Sequence, residues 1–322
     1  MEVFMGRLIG ALLILLATHG ILEGADKVKI GVANYNLSNL SVGVAQRKGF
    51  FKQEGIEAEI IAMRPSIVTA AMVSEALDYT TLIVSLVGAA VKGSPLKLIG
   101  MSVDRPPLSF VAQPRIKSGS QLKGTTIGVG SYGSSPDLVA RRIVRHYGLD
   151  PDKDVKTLAF GLASARLTAL QQGIVDVIIV APPDDYKAKK MGFNILVRAD
   201  ELFTFPYNGL GTSTRKLQQS RDEVKRVLKA VIKANRFIRR DRAGTIQVLM
   251  EWAKADREDA AASYDSAFKA FSEDGSVSED DLRLLVENAS KDLKMPRQIL
   301  PDEVADLSIL HQAQKELGII KP

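Results

Sequence analysis

Apolar and polar residues alternate in blocks along this chain, and the blocks repeat. Two stretches set the pattern: KIGVANYNLS, Lys29 to Ser38, and TIGVGSYGSS, Thr126 to Ser135. Each opens with a short apolar, β-branched run closed by turn formers, which predicts a buried strand. Each leads into a predicted helix. VGVAQRKGFFKQEGI (Val42 to Ile56) ends at Gly55, and PDLVARRIVRHYGL (Pro136 to Leu149) starts on Pro136 and stops at Gly148. Second strands follow as AEIIAM (Ala58 to Met63) and VKTLAF (Val155 to Phe160). Second helices come next, with Ser66 and Ser164 as predicted N-caps. Asp78 and Asp176 then precede a third strand in each half.

From Ile30 to Asp78 is 48 residues, and from Ile127 to Asp176 is 49. Two β-α-β-α-β units of equal length are therefore expected. Strands alternating with helices build parallel sheets with right-handed crossovers. In such sheets ligands bind outside the carboxyl ends of the strands. Here those ends carry Asn34, Tyr35, Asn36 and Ser38 in one half, and Ser131, Tyr132, Gly133, Ser134 and Ser135 in the other. They stand at predicted helix N-termini, where free N–H groups and the positive dipole end attract anions. Two such mouths facing one another would form a cleft.

From about Leu217 the pattern changes to capped helices. Ser220-Arg221-Asp222-Glu223 has the form of a capping box. Behind it Val224, Val227, Leu228, Val231 and Ile238 lie at helical spacing, opposite a face of Lys and Arg. Further helices are expected near 242–254, 257–271, 279–292 and 303–317.

Composition narrows the chemistry. The chain has 322 residues, 46% hydrophobic and 25% charged, enough for two ordinary domains with a sizeable core. It contains no cysteine, which removes disulfides, thiolate metal sites and cysteine nucleophiles. Arg7 followed by LIGALLILLA (Leu8 to Ala17) and small residues reads as an export signal over 1–25, with Thr18-His19-Gly20 a better cleavage region than Glu23-Gly24-Ala25. Its removal would take away Arg7, Glu2 and Glu23, leaving 42 basic and 35 acidic residues, a net +7 that suits an anionic ligand or surface but is common in exported proteins without one.

The stretch VAQRKGFFKQEGIEAEII (Val44 to Ile61) resembles the solute-binding proteins of nitrate/sulfonate/taurine-type ABC importers, relatives of the domain found in thiamine-pyrimidine synthases. GSPLKLIGMSVDRPPLSFVAQPRIKSGSQLKGTTIGVGSYGSSPD (Gly93 to Asp137), ARLTALQQGIVDVIIVAPP (Ala165 to Pro183) and KKMGFNIL (Lys189 to Leu196) extend it over about 27–320. The resemblance implies a type II periplasmic-binding-protein fold: two α/β lobes with mixed, mainly parallel sheets, joined by two crossing segments, with a helical C-terminal tail. It implies a signal segment at 1–25, lobe 1 from 26–107, lobe 2 from 108–206, and 207–322 returning to lobe 1 and the C-terminal helices. It also implies a monomeric extracytoplasmic protein with a small-molecule ligand and a membrane permease as partners. Two departures stand out: Glu75 replaces a glycine that the second repeat keeps as Gly173, and Arg64-Pro65-Ser66 replaces a glycine pair.

Candidate ligand contacts follow. Asn34, Tyr35 and Asn36 can hydrogen-bond from one mouth, or simply turn the chain. Ser131 to Ser135 can form a backbone nest for an anion, or a plain cap. Arg64 can pair with an anion through two oxygens. Ser66 and Ser85 line the first half, Ser85 ending its third strand; Pro182 and Asp184 are the counterparts in the second. Tyr207 and Asn208 fall where the chain crosses back, as hinge or contact. No residues have metal-ligand spacing and no cofactor is expected. The basic helix after Ser220 reads as a solvated face, without the interleaved aromatics that nucleic acid needs. The alternative is an enzyme on the same fold, such as a lyase resembling those of menaquinone synthesis, using Asp184, Asp185 or Tyr132 as acid and base.

Overall fold

The computed structural model describes residues 24–320. The expected export segment lies, but for Gly24 and Ala25, outside the described residues. Among the described residues no helix is long and apolar enough to cross a membrane.

Two five-stranded sheets form the frame. The first has the order β2-β1-β3-β10-β4, from β1 (Asp26–Val32), β2 (Ile56–Ala62), β3 (Tyr79–Thr80), β4 (Leu96–Val103) and β10 (Asn208–Ser213). The second has the order β7-β6-β8-β5-β9, from β5 (Ser109–Ala112), β6 (Thr126–Val129), β7 (Lys156–Ala159), β8 (Val177–Val180) and β9 (Asn194–Arg198). β1 runs parallel to β2 and β3, as β6 does to β7 and β8. β10 and β5 are the antiparallel members, each placed between the third strand and the far edge. The chain crosses between sheets after β4 and again before β10. This is the two-lobed type II arrangement, with mixed sheets. β8 is buried on both faces, which explains its unbroken Val-Ile-Ile-Val run.

The repeat extends to single side chains. The Asp78 carboxylate accepts the Lys29 N–H at 2.8 Å, and Asp176 accepts the Thr126 N–H at 2.8 Å. Each ties the start of the third strand to the first. The Tyr35 hydroxyl donates to the Ile60 carbonyl at 3.0 Å, and Tyr132 donates to Thr157 at 3.2 Å, pinning the edge strand in each lobe. Glu75 and Gly173 both turn through left-handed backbone, at φ 59° and 69°. Glu75 therefore adopts a conformation that suits glycine, at a cost of about 1 kcal/mol. Arg215 sits 2.6 Å from its carboxylate, an exposed contact that offsets little.

Several local expectations are corrected. Ser66 and Ser164 are not N-caps. The helices begin at Pro65 and Ala163, behind Arg64 and Leu162. Pro65 forces the residue before it out of helical geometry, so the boundary falls on Arg64. The helix expected over Val42–Ile56 breaks at Gly49, which has φ 74°, into Leu40–Arg47 and Phe50–Gln53. Ser85 does not end a strand: β3 spans two residues, and Ser85 lies in the first turn of helix Ile83–Val91. Ser220 makes no side-chain cap, and the reciprocal half of the expected box is also missing, since Glu223 is bound by the Tyr79 hydroxyl (2.7 Å) and Lys216 (3.0 Å). The last expected helix is two, Pro301–Val304 and Ser308–Glu316, parted where Ala305 bridges to Leu98 at the sheet edge.

Helix Arg221–Arg240 packs its apolar stripe on lobe 1, with Val224, Val227 and Ile238 fully buried. Its basic face is engaged by protein carboxylates. Lys229 and Lys233 hold Glu54 at 3.0 and 2.5 Å, and Lys225 holds Glu316 at 2.7 Å.

Candidate functional site: the cleft between the lobes

The carboxyl ends of the parallel strands meet face to face, and the lobes touch across the gap. Asn34 Oδ1 accepts the N–H of Ala163, 2.8 Å away in the opposite lobe. The helix starting at Ala163 is therefore capped by the other half of the molecule, which is why Ser164 has no capping role. The Leu37 N–H donates to the Pro182 carbonyl at 3.0 Å, a second crossing bond. Arg64 lies along Gly161, where an added Cβ would stand 2.9 Å from Arg64 Cγ. Lys190 joins Asp256 and Asp259 at 2.9 and 2.7 Å, docking lobe 2 on the C-terminal helices.

Two adjoining spaces remain. The inner chamber is about 30 Å³ and is lined by Asn34, Asn36, Ser85, Ser134, Ser135, Arg166, Tyr207 and Asn208. That is room for about two waters, so a larger headgroup enters only as the lobes part. The outer cavity is about 460 Å³ and shares Pro65 and Ser85 with the inner one. Ser66, Ser131, Tyr132 and Gly133 line it, with apolar walls from Val84, Leu138, Leu285 and Leu293, and Lys92 as its cation.

Arg166 dominates the inner chamber, and the sequence reading did not single it out. Only 2% of it is exposed. Nε donates to the Ile179 carbonyl at 3.0 Å and Nη1 to the Gly161 carbonyl at 2.7 Å. Among the described residues no carboxylate lies within ion-pair distance of it. Burial lowers its pKa to about 10, against the opposing pull of Tyr207 and Asp184, so it stays cationic at neutral pH. The signal was present: Ala163, Arg166, Ala169 and Leu170 form one buried helical face, and an arginine on such a face is out of place.

The other candidates divide. Asn36 is buried, its carbonyl accepts from Trp252 Nε1 at 3.0 Å, and its Oδ1 has no partner. Tyr207 is buried at the crossing. Its hydroxyl accepts from Ser38 Oγ at 3.4 Å, its carbonyl accepts from Ser135 Oγ at 3.4 Å, and burial pushes its phenol up to about 12. Asn208 Nδ2 donates to the Ser38 carbonyl (2.8 Å) and to Asn39 Oδ1 (3.1 Å). Tyr35 lies outside both spaces, edge-on to Trp252 at 4.8 Å. Pro182 bridges through its carbonyl without lining either space. The Ser131–Ser135 loop spends several amides on itself: Ser131 N–H goes to Ser134 Oγ at 3.3 Å, Gly133 N–H to Asp137 Oδ2 at 2.8 Å, and Ser134 N–H to the Ser131 carbonyl. A nest of free amides is therefore reduced, and side chains remain the main donors.

The acid–base candidates do not converge. Asp185 is fully buried between Ser109 Oγ (2.7 Å) and Arg198 (3.2 Å), a peg that joins β5, β9 and helix Asp184–Lys190. Asp184 sits 3.5 Å from Lys187; burial raises its pKa, against the pull of Lys187 and Arg166. Tyr132 uses its hydroxyl on Thr157.

Comparison with known proteins fits this geometry. Over most of its length the chain is 22% identical to YtlA of Bacillus subtilis (strain 168), named a binding protein without a stated ligand; the match covers 91% of this chain and 92% of that one. A 4-amino-5-hydroxymethyl-2-methylpyrimidine phosphate synthase of Uromyces fabae is 31% identical over 160 residues, 47% of this chain and 45% of the enzyme. Among solved structures, the alkanesulfonate-binding protein SsuA of Xanthomonas axonopodis pv. citri, bound to MOPS, superposes with a TM-score of 0.74 at 18% identity, covering 88% of this chain and 98% of that one. The nitrate-binding protein NrtA of Synechocystis PCC 6803 gives 0.75 at 16%, covering 92% and 90%. The desulfurization enzyme DszB shares the fold at 0.66 and 15%, covering 91% and 99%. The family model described as NMT1/THI5 like matches residues 36–242, more than half of the sequence. The chain belongs to the NMT1/THI5-like family.

Proposed function

We propose that this protein is the extracytoplasmic solute-binding component of an ABC importer. It takes an anionic headgroup against Arg166 and houses the rest of the solute in the adjoining cavity. The observation that carries this reading is the buried guanidinium that faces the interlobe chamber without a carboxylate. Burying an unpaired charge costs several kcal/mol, and an arriving anion would return part of that cost. Contacts to both lobes would bias the open–closed equilibrium, since a ligand shifts it only through differential affinity. Relatives named for alkanesulfonate and nitrate binding support an anion. The permease, the periplasmic location and the monomeric state belong to the same reading. No catalytic step is assigned, because Asp184, Asp185 and Tyr132 do not gather at one point of the cavity.

A thermal-shift and calorimetric screen of alkanesulfonates, nitrate, bicarbonate and neutral heterocycles tests the reading. Binding without turnover is expected for at least one anion. Arg166→Gln should weaken it about 100-fold, the range for removing one partner of a buried charge pair. Circular dichroism of the variant checks the two carbonyl contacts that Arg166 also makes. Unchanged affinity in folded Arg166→Gln, or consumption of the bound compound, would overturn the assignment.

A further inference from the structure

A further cavity, of about 520 Å³, lies beside the cleft mouth. Helix Ser135–His146 supplies Arg141, Arg142, Arg145 and His146, the crossing segment supplies Phe203 and Phe205, and helix Glu279–Asp292 supplies Lys291. Among the described residues no acidic side chain lines it. Arg141 is held by Asp152 at 2.6 Å, but among the described residues no carboxylate is within ion-pair distance of Arg142, Arg145 or Lys291. Arg142 lies over the Phe203 ring, 4.8 Å from its centroid, which fixes a half-buried guanidinium at the wall. Burial first, and Arg145 second, hold the Arg142 pKa below its usual value. On helix Arg221–Arg240, by contrast, Glu54 and Glu316 pair with three lysines. Here like charges are gathered instead.

This groove adjoins the ligand cavity, because Leu138 and Asn288 line both. The cations then form a path: Arg142, Arg145 and Lys291 outside, Lys92 in the outer cavity, Arg166 at the end. We infer that the groove between helix Ser135–His146, the crossing segment and helix Glu279–Asp292 is an anion-binding vestibule. It takes small carboxylates, sulfonates or phosphates weakly and feeds them into the cleft. A surface of one sign beside low-dielectric walls concentrates counter-ions and speeds their capture. The feeding role rests on the anion reading of the cleft; the groove's own affinity for anions does not.

Two measurements test it. The first is stopped-flow fluorescence of Trp252, the single tryptophan, with butanesulfonate as probe. In Arg142→Gln/Arg145→Gln the association rate at low salt should fall about fivefold or more and lose most of its salt dependence, with the dissociation rate unchanged. The second follows the arginine Nε–H resonances of the unmutated protein through a titration with inorganic phosphate. Saturable shifts at Arg142 and Arg145 are expected. An unchanged association rate with linear, non-saturating shifts would overturn the vestibule. Saturation of the groove by phosphate with no binding of any anion in the cleft would support the groove as an anion site and sink the reading of Arg166 instead.

Discussion

At the scale of the residue, the two repeats differ where one side chain does work that its counterpart avoids. Glu75 turns through φ 59° where Gly173 makes the same turn freely. Replacing Glu75 by Gly should stabilise the protein by up to about 0.5 kcal/mol, the strain recovered less the glycine's extra unfolded-state entropy. Urea unfolding of the two proteins measures it, and an equal or lower midpoint would show that the Arg215 contact matters more than the strain. Tyr207 supplies a pH dependence. Its phenol is pushed up to about 12 by burial, against an ordinary value of 10.0. A raised pKa means that the stability it contributes is whole below pH 10 and drains away as pH rises towards 12, since the unfolded chain ionises first. Tyrosine absorbance at 295 nm should show late-titrating phenols, and Tyr207→Phe should lower their amplitude by that of one phenol while blunting alkaline unfolding. The sequence exposed the left-handed turn at Glu75 through the repeat. It hid Arg166, because a single arginine within an apolar helical face shows neither which face is buried nor that a chamber lies before it.

At the scale of the element, caps and ends were the least legible features. Ser66 and Ser164 had the right chemistry in the right place. Proline geometry moved one boundary, and the other helix took its cap from Asn34 of the opposite lobe. Local patterns cannot reveal a partner 129 residues away. That bond also makes a prediction. Asn34→Ala leaves the Ala163 N–H without its acceptor and should raise the open population. Ligand affinity should fall about fivefold, the worth of one cap, with a larger radius of gyration by X-ray scattering in the absence of ligand. An unchanged radius and affinity would mean that Asn34 plays no part in closure. The first strand of each half, by contrast, was legible from its apolar run, whereas β3, expected to reach Ser85, spans only two residues. The apolar run of β8 is set by burial on both faces, β2 and β7 at the sheet edges are partly exposed, and Asp78 and Asp176 repeat the same backbone contact.

At the scale of the whole molecule, the duplication was visible in two equal spacings, and the two-lobed frame follows from it. What the spacings could not show is how tightly the halves meet. The chamber between them is small, and its polar groups are already wired to one another through Ser38, Asn39, Tyr207 and Asn208. The loop at Ser131–Ser135 looked like a cradle of free amides and instead satisfies several of its own. On the proposed reading, recognition shifts from main chain to side chain, and from symmetric mouths to one off-centre guanidinium.

The position of β10 has a further bearing on how the chain reaches this form. Lobe 1 places β10 between β3 and β4, so its sheet cannot close until the chain has been delivered as far as Ser213, whereas every strand of lobe 2 falls within Ser109–Arg198. Pairings so distant along the chain are slow to form. A nascent polypeptide halted before Asn208 would carry a gap in its first sheet and stay loose at its leading end. Truncated chains ending at Arg198 should therefore show ready proteolysis before residue 104, and resistance there should return only with the strand that fills the gap.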